Sequence, residues 1–136
     1  MFSVEVEEEG RGTVLVLRGE LDHDSAVQLD EAGRRSAGAA DGAARPVVAD
    51  LAALTFCDSS GISALLRLHR HLSARGRPLG LAAVPRTVRR LFALTGLDQI
   101  FTAHSDVHEA FAAGPVRPDT APGAGAPARQ NRKESA

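Results

Sequence analysis

Two hydroxyls and a carboxylate crowd one short turn, Asp58, Ser59, Ser60, Gly61. Three kinds of chemistry fit those residues. Asp and Ser are preferred helix N-caps, because their oxygens accept from first-turn amides that have no partner inside the helix. A serine hydroxyl can also carry a phosphate, which at a helix start meets exposed amides and the positive end of the dipole. That phosphate would add roughly two negative charges beside Asp58. The third chemistry, a serine nucleophile, needs a base. The histidines are His23, His69, His71, His104 and His108. His23 follows a strand pattern that can end on the same rim of a sheet as Ser59, so a Ser59–His23 dyad is conceivable. A solvated loop histidine is the simpler reading. Ser60 lacks the flanking glycines of a nucleophile elbow. His69 and His71 lie two apart in a helical pattern and point to different faces, so they do not pair as metal ligands. His69 falls on the apolar stripe and reads as a packed, hydrogen-bonded side chain. Cys57 reads as a small buried hydrophobe. No catalytic constellation assembles, and the expectation is a non-enzymatic docking module with no metal and no cofactor of its own.

The elements that must position this turn alternate along the chain. Phe2, Val4 and Val6 alternate with polar residues, EEEGRG turns, and Thr13 to Leu17 is a β-branched and Leu run, which together predict a hairpin. After ELDHDS, Ser25 with Gln28 predicts a capping box and a helix whose inner face is Ala26, Leu29, Gly33 and Ala37, ended by Gly38 to Gly42. PVVADL, residues 46–51, suits a buried strand, with TFCDSSG as the loop after it. Ile62, Leu65, Leu66, His69 and Leu72 share one helical stripe, closed by Gly76. RPLGLAAV supplies a strand, and Pro85 sits where a helix can begin. Val88, Leu91, Phe92 and Thr95 line that helix, and Gly96 suits a left-handed C-cap. Gln99 to Thr102 reads as a last strand. Ser105 would cap a final helix with Val107, Ala110 and Phe111 inward and Asp106 in its first turn. The order β-β-α-β-α-β-α-β-α predicts an α/β fold: a mixed, mostly parallel sheet with an N-terminal antiparallel edge hairpin.

Composition sets the limits. The 136 residues allow one domain, and a 43% hydrophobic share with 4% aromatics and no Trp or Tyr implies an aliphatic core. With 16 basic and 17 acidic residues there is no global field to draw nucleic acid or an anionic membrane, and neither is expected as a partner. The single Cys cannot close an internal disulfide. No apolar run approaches the roughly 20 residues that span a bilayer. The acidic N-terminus lacks the features of a signal peptide, so a cytoplasmic location is expected. From Gly114 to Ala136 the sequence turns rich in Pro, Gly and Ala. A folded domain over 1–113 and a disordered tail over 114–136 are therefore expected, the GAGAP of the tail following no strand.

Three segments, ELDHDSA, VVADLAALTFCDSSGI and PRTVRRLFALTGLDQIF, closely resemble the STAS domain of bacterial anti-anti-sigma factors (anti-sigma factor antagonists). The resemblance spans about residues 3–113, with the segments in the family's order and spacing. It implies the STAS fold and a partner-switching role in transcription regulation. In that family the unphosphorylated protein binds an anti-sigma factor that is also a serine kinase of the histidine-kinase-like ATPase fold, which frees a sigma factor. Phosphorylation of the Ser after the Asp dissolves the complex, and a PPM-type phosphatase reverses it. Carried onto this chain, Ser59 is the phosphoacceptor and Asp58 helps position it. Ser60 and Gly61 shape the helix start, Ser60 as the structural cap. The implied partner surface is Glu20, Asp22, His23 and Asp24 with Asp58, Ser59, Ser60, Gly61, Ile62, Leu65 and Leu66. The alternative is a STAS adaptor subunit of a transport or sensory complex that docks through the same surface without phosphorylation. Gly33 and Ala37 in the first helix, Cys57 before the Asp, and the tail depart from the usual family pattern.

Overall fold

Five strands form one sheet in sequential order. The computed structural model describes residues 1–38 and 45–113, so the expected tail and the glycine-rich end of the first helix lie outside the described residues. Strand β1, Phe2–Glu9, pairs antiparallel with β2, Gly12–Leu21, which is the hairpin the alternating pattern predicts. Strands β3, Val47–Cys57, and β4, Leu79–Ala82, follow parallel to β2, with β5, Thr102–His104, at the far edge. The helices between them are α1, Ala26–Gly38, α2, Ser59–Ala74, and α3, Arg86–Thr95; α4, Val107–Ala112, follows β5.

Period-two alternation decides which strand residues meet which helices. Leu15, Leu17, Val47, Ala49, Leu51, Leu79 and Leu81 join Leu29, Leu65, Leu68, Leu72, Val88 and Phe92 in one aliphatic core. Val48 and Ala82, pointing the other way, meet Ala110, Val107 and Phe111 of α4. Gly33 brings α1 close to α2, since a Cβ there would lie 2.7 Å from Leu68 Cδ1. The inner face of α1 also includes Ala32 and Ser36; the side chain of Ala37 is outside the described residues.

Several boundaries differ from the sequence expectation. Strand β3 does not stop at Leu51: two bulges, between Val16/Arg18 and Gly19/Glu20 in its pairing with β2, carry it to Cys57. Gln99 is not in a strand. Gly96, left-handed as expected at φ 78°, passes the chain into a 3₁₀ turn at Leu97–Gln99, which delays β5 to Thr102. Thr95 is exposed, its hydroxyl donating back to Leu91 O at 2.8 Å. The cap of α4 is Asp106, whose carboxylate accepts from Glu109 N at 2.7 Å, while Ser105 donates its backbone amide to the Glu109 side chain. Gly76, φ 72°, closes α2 as expected, with Arg77 N donating to Leu72 O at 2.8 Å. At the amino end of the parallel strands Arg77 is 3% exposed. Its guanidinium donates to Arg45 O at 2.9 Å, to Ser36 O, and to Thr13 Oγ1 at 2.7 Å, and Thr13 in turn donates to Glu8 at 2.8 Å.

Candidate functional site

The bulged course of β3 puts its end beside the end of β2, with Glu20 opposite Phe56 and Leu21 opposite Cys57. The expected seven-residue loop contracts to Asp58 alone, and α2 begins at Ser59. Asp58 N donates to Leu21 O at 3.4 Å, which ties the turn to the neighbouring strand. Gly61 is required by this close approach. A Cβ on it would lie 2.5 Å from Leu21 O and 2.8 Å from Cys57 Sγ, too near for either to stay in place.

Asp58 is the N-cap. It is extended (φ −108°, ψ −169°), its carboxylate accepts from Gly61 N at 3.0 Å, and its carbonyl accepts from Ile62 N at 2.9 Å. Ser60 is therefore not the cap, contrary to the expectation above: a residue already inside the helix cannot reach back to the first amides as Asp58 does. Ser59 occupies the first helical position, is exposed, and its hydroxyl bonds to no other described residue. No hydrogen bond joins His23 to it among the described residues. Burial, with a smaller push from Asp58, raises the half-buried Cys57 thiol to about 12, so the group before the turn stays neutral.

The neighbouring loop is built as a reciprocal cap, three residues earlier than the sequence suggested. Ser25 N donates to Asp22 Oδ1 at 3.1 Å and Asp22 N donates to Ser25 Oγ at 2.9 Å. Ser25 Oγ also donates to Glu20 O at 2.7 Å, so this buried serine braces the loop from within, and Gln28 bonds Ser25 only through the backbone. Ser25, through its amide first and its hydroxyl second, holds the Asp22 carboxyl below the usual aspartate range. Glu20, His23 and Asp24 are left exposed.

The structure thus brings Glu20 to Asp24 and Asp58 to Gly61 together on one rim, but it redistributes the rest of the expected surface. Ile62 and Leu65 are buried in the core at 7% and 0% exposure, supporting the turn from beneath, and Leu66 is half-buried. Phe56, next to Glu20, and Val27 are exposed at 48% and 60% instead. Phe56 was hidden from sequence reasoning because the bulges shift it out of the strand's alternation. His69 packs edge-on against Phe101 with ring centroids 5.6 Å apart, but its Nδ1 is buried without a hydrogen-bond partner, unlike the bonded side chain expected.

A mixed five-stranded sheet of this topology, with its antiparallel β1–β2 hairpin at one edge, is the fold of the STAS modules. The family described as Mlab, STAS domain matches residues 4–102, and the chain belongs to the STAS domain family. An anti-sigma F factor antagonist of Paenibacillus polymyxa is 29% identical over 111 residues, covering 77% of this chain and 90% of that one. The crystal structure of an anti-sigma factor antagonist from Mycobacterium paratuberculosis superposes with a TM-score of 0.72 at 26% identity, over 83% of this chain and 93% of the other. The Bacillus cell fate determinant SpoIIAA in its phosphorylated form does so with a TM-score of 0.62 at 28% identity, over 82% and 98%. The mixed sheet expected from the sequence is the architecture of these relatives. Among the described residues no helix is long and apolar enough to cross a membrane.

Proposed function

We propose that this chain is an anti-sigma factor antagonist switched by phosphorylation of Ser59. Unphosphorylated, it binds an anti-sigma factor that is a serine kinase of the histidine-kinase-like ATPase fold, and so frees a sigma factor. Phosphate on Ser59 dissolves the complex, and a PPM-type phosphatase removes it. The kinase brings ATP and magnesium, so the chain needs no cofactor. The observation that carries this reading is the division of labour at the helix start: Asp58 caps α2, which leaves the exposed Ser59 hydroxyl unbonded and available. A phosphate there would sit beside the Asp58 carboxylate inside the interface, where repulsion and lost solvation both oppose binding. The antagonist relatives support the same assignment.

The test uses the serine kinase of the source organism, purified, with ATP. Mass spectrometry should locate one phosphate on Ser59. Ser59→Asp should abolish the kinase complex while Ser59→Ala keeps it. Equal binding by Ser59→Asp and the wild type would sink the switch. An unphosphorylated chain with a constitutive partner would instead assign it to the adaptor subunits of transport or sensory assemblies. Labelling of Ser59 by a fluorophosphonate, lost in His23→Ala, would point to hydrolysis.

A further inference from the structure

The near-zero net charge conceals a segregation. Between Ser59 and Leu97 the sequence holds no Asp or Glu, but seven arginines. At about 100° per residue, Ser59, Ser63, Leu66, Arg67, Arg70 and Ala74 fall on the same side of α2. Of these Ser59, Ser63, Arg70 and Ala74 are exposed, and Leu66 and Arg67 are half-buried. Arg67 is taken up by Asp30, at 3.0 Å and 3.2 Å, whereas no carboxylate of the described residues pairs with Arg70. The opposite end of this face abuts the acidic rim, where Asp58 caps the helix and its amide donates to Leu21 O, next to the exposed Glu20 and the loop that carries Asp24. One helix face of 16 residues, about 24 Å long, therefore runs from an acidic rim to a basic tip.

We propose that this face docks on the same face of a second copy, antiparallel about a two-fold axis passing between Ser63 and Leu66. In a two-fold interface every contact is made twice, so the face must complement itself. Here it does. An axis midway along that span sets Ser59 of each copy opposite Arg70 of the other, and Ser63 opposite Leu66. The acidic rim of each then lies over the Arg70 and His71 end of its partner, and the two helix dipoles run antiparallel. Small side chains at Ser63 and Ala74 let the backbones approach, and Leu66 adds apolar contact near the axis. A head-to-tail pairing of the same charges would leave unsatisfied ends and would not close. The dimer covers Ser59 and so competes with any protein that must reach that hydroxyl; this last consequence alone rests on the proposed function.

Sedimentation velocity of the full chain tests the proposal without any other protein. A reversible monomer–dimer equilibrium is expected at low salt, weakened at high salt where the Debye length contracts to a few ångströms. Arg70→Glu, counted twice per dimer, should weaken it about tenfold, and so should Asp24→Arg. The double variant Asp24→Arg/Arg70→Glu should restore it. Both side chains are exposed, and circular dichroism verifies that the variants fold. Ser59→Asp should strengthen self-association, the opposite sign to its effect on the kinase complex. A chain that stays monomeric at about 1 mM in low salt, or a double variant no better than the singles, overturns the dimer. If Ser59→Asp kept the kinase complex while the charge swap still restored dimers, the phosphorylation reading would fall and the dimer would stand.

Discussion

At the amino end of the parallel strands a guanidinium is buried and bonded: Arg77 joins the ends of α1 and β2 and the segment before β3 through Ser36, Thr13 and Arg45. At the carboxyl end, 11 residues along β3, the serine of the Asp58 turn is exposed and unbonded. Both ends place polar groups beside helix termini, yet one bonds its guanidinium into the fold through all three nitrogens and the other leaves a hydroxyl unbonded among the described residues. The difference follows from what each end joins. Three segments converge on Arg77, two with the carbonyls of Ser36 and Arg45 and one with the Thr13 hydroxyl, and buried polar groups need partners. At the turn, Asp58 alone meets the demand of the helix, so Ser59 is released from structural duty. The amino end is a clamp, and the carboxyl end is an exposed turn mounted on a fixed base, the surface proposed above for docking.

Substitutions at the two ends can break this contrast. The largest expected effect is at Arg77. Arg77→Met keeps the apolar stem but strands two carbonyls and the Thr13 hydroxyl, and should destabilise by about 3 kcal/mol in urea titration, with each buried orphan group adding about 1 kcal/mol or more. A loss below about 1 kcal/mol, within the range of ordinary substitutions, would mean the amino end is no clamp. Next is Gly61→Ala. Alanine favours a helix over glycine by about 1 kcal/mol, but the added methyl meets Leu21 O at 2.5 Å. Overpacking against backbone should win, leaving a net loss of about 1–2 kcal/mol. Any gain in stability from Gly61→Ala would show that the turn is not held tightly against β2.

Local signals made much of this readable beforehand. The hairpin, Gly76 and Gly96 all depend on residues adjacent in sequence, and all are where pattern and turn chemistry put them. The misreadings share a cause. The length of β3 depends on its pairing with β2, whose two bulges no alternation in β3 encodes. Ile62 and Leu65 belong to the partner surface that the resemblance implies, yet the apolar stripe they share turns them into the core. Arg77 gave no sign of burial, because its carbonyl partners come from Ser36 and Arg45, distant in sequence. The exposure of Phe56 is equally a property of two strands and not of one.

Smaller effects sharpen the picture of the carboxyl end. Asp58→Ala removes the cap of α2 and should destabilise by about 1 kcal/mol, with amide exchange rising first in residues 60–62. His69, between the two ends, should confer a pH dependence. Burial first, and the nearby Arg70 second, lower its pKa below 6.5, so the unfolded chain binds the proton more readily. Its contribution is complete above about 6.5 and is lost as the pH falls through that value toward the lower folded one. His69→Phe should flatten the slope of stability between pH 7 and 5, and an unchanged slope would place the titration elsewhere.

The smallest expected effect is the most informative about the surface. Ser59→Ala deletes a hydroxyl that no described group bonds, at the first position of a helix already capped by Asp58. Alanine is the better helix former, so stability should stay within about 0.5 kcal/mol of the wild type. Asp58→Ala and Ser59→Ala therefore separate two roles that sit one residue apart: the first should lower stability, and the second should remove the proposed phosphate acceptor alone. If Ser59→Ala cost as much as Asp58→Ala, the hydroxyl would belong to the fold. The carboxyl end would then resemble the amino end, with no group free to be modified without loosening the helix that presents it.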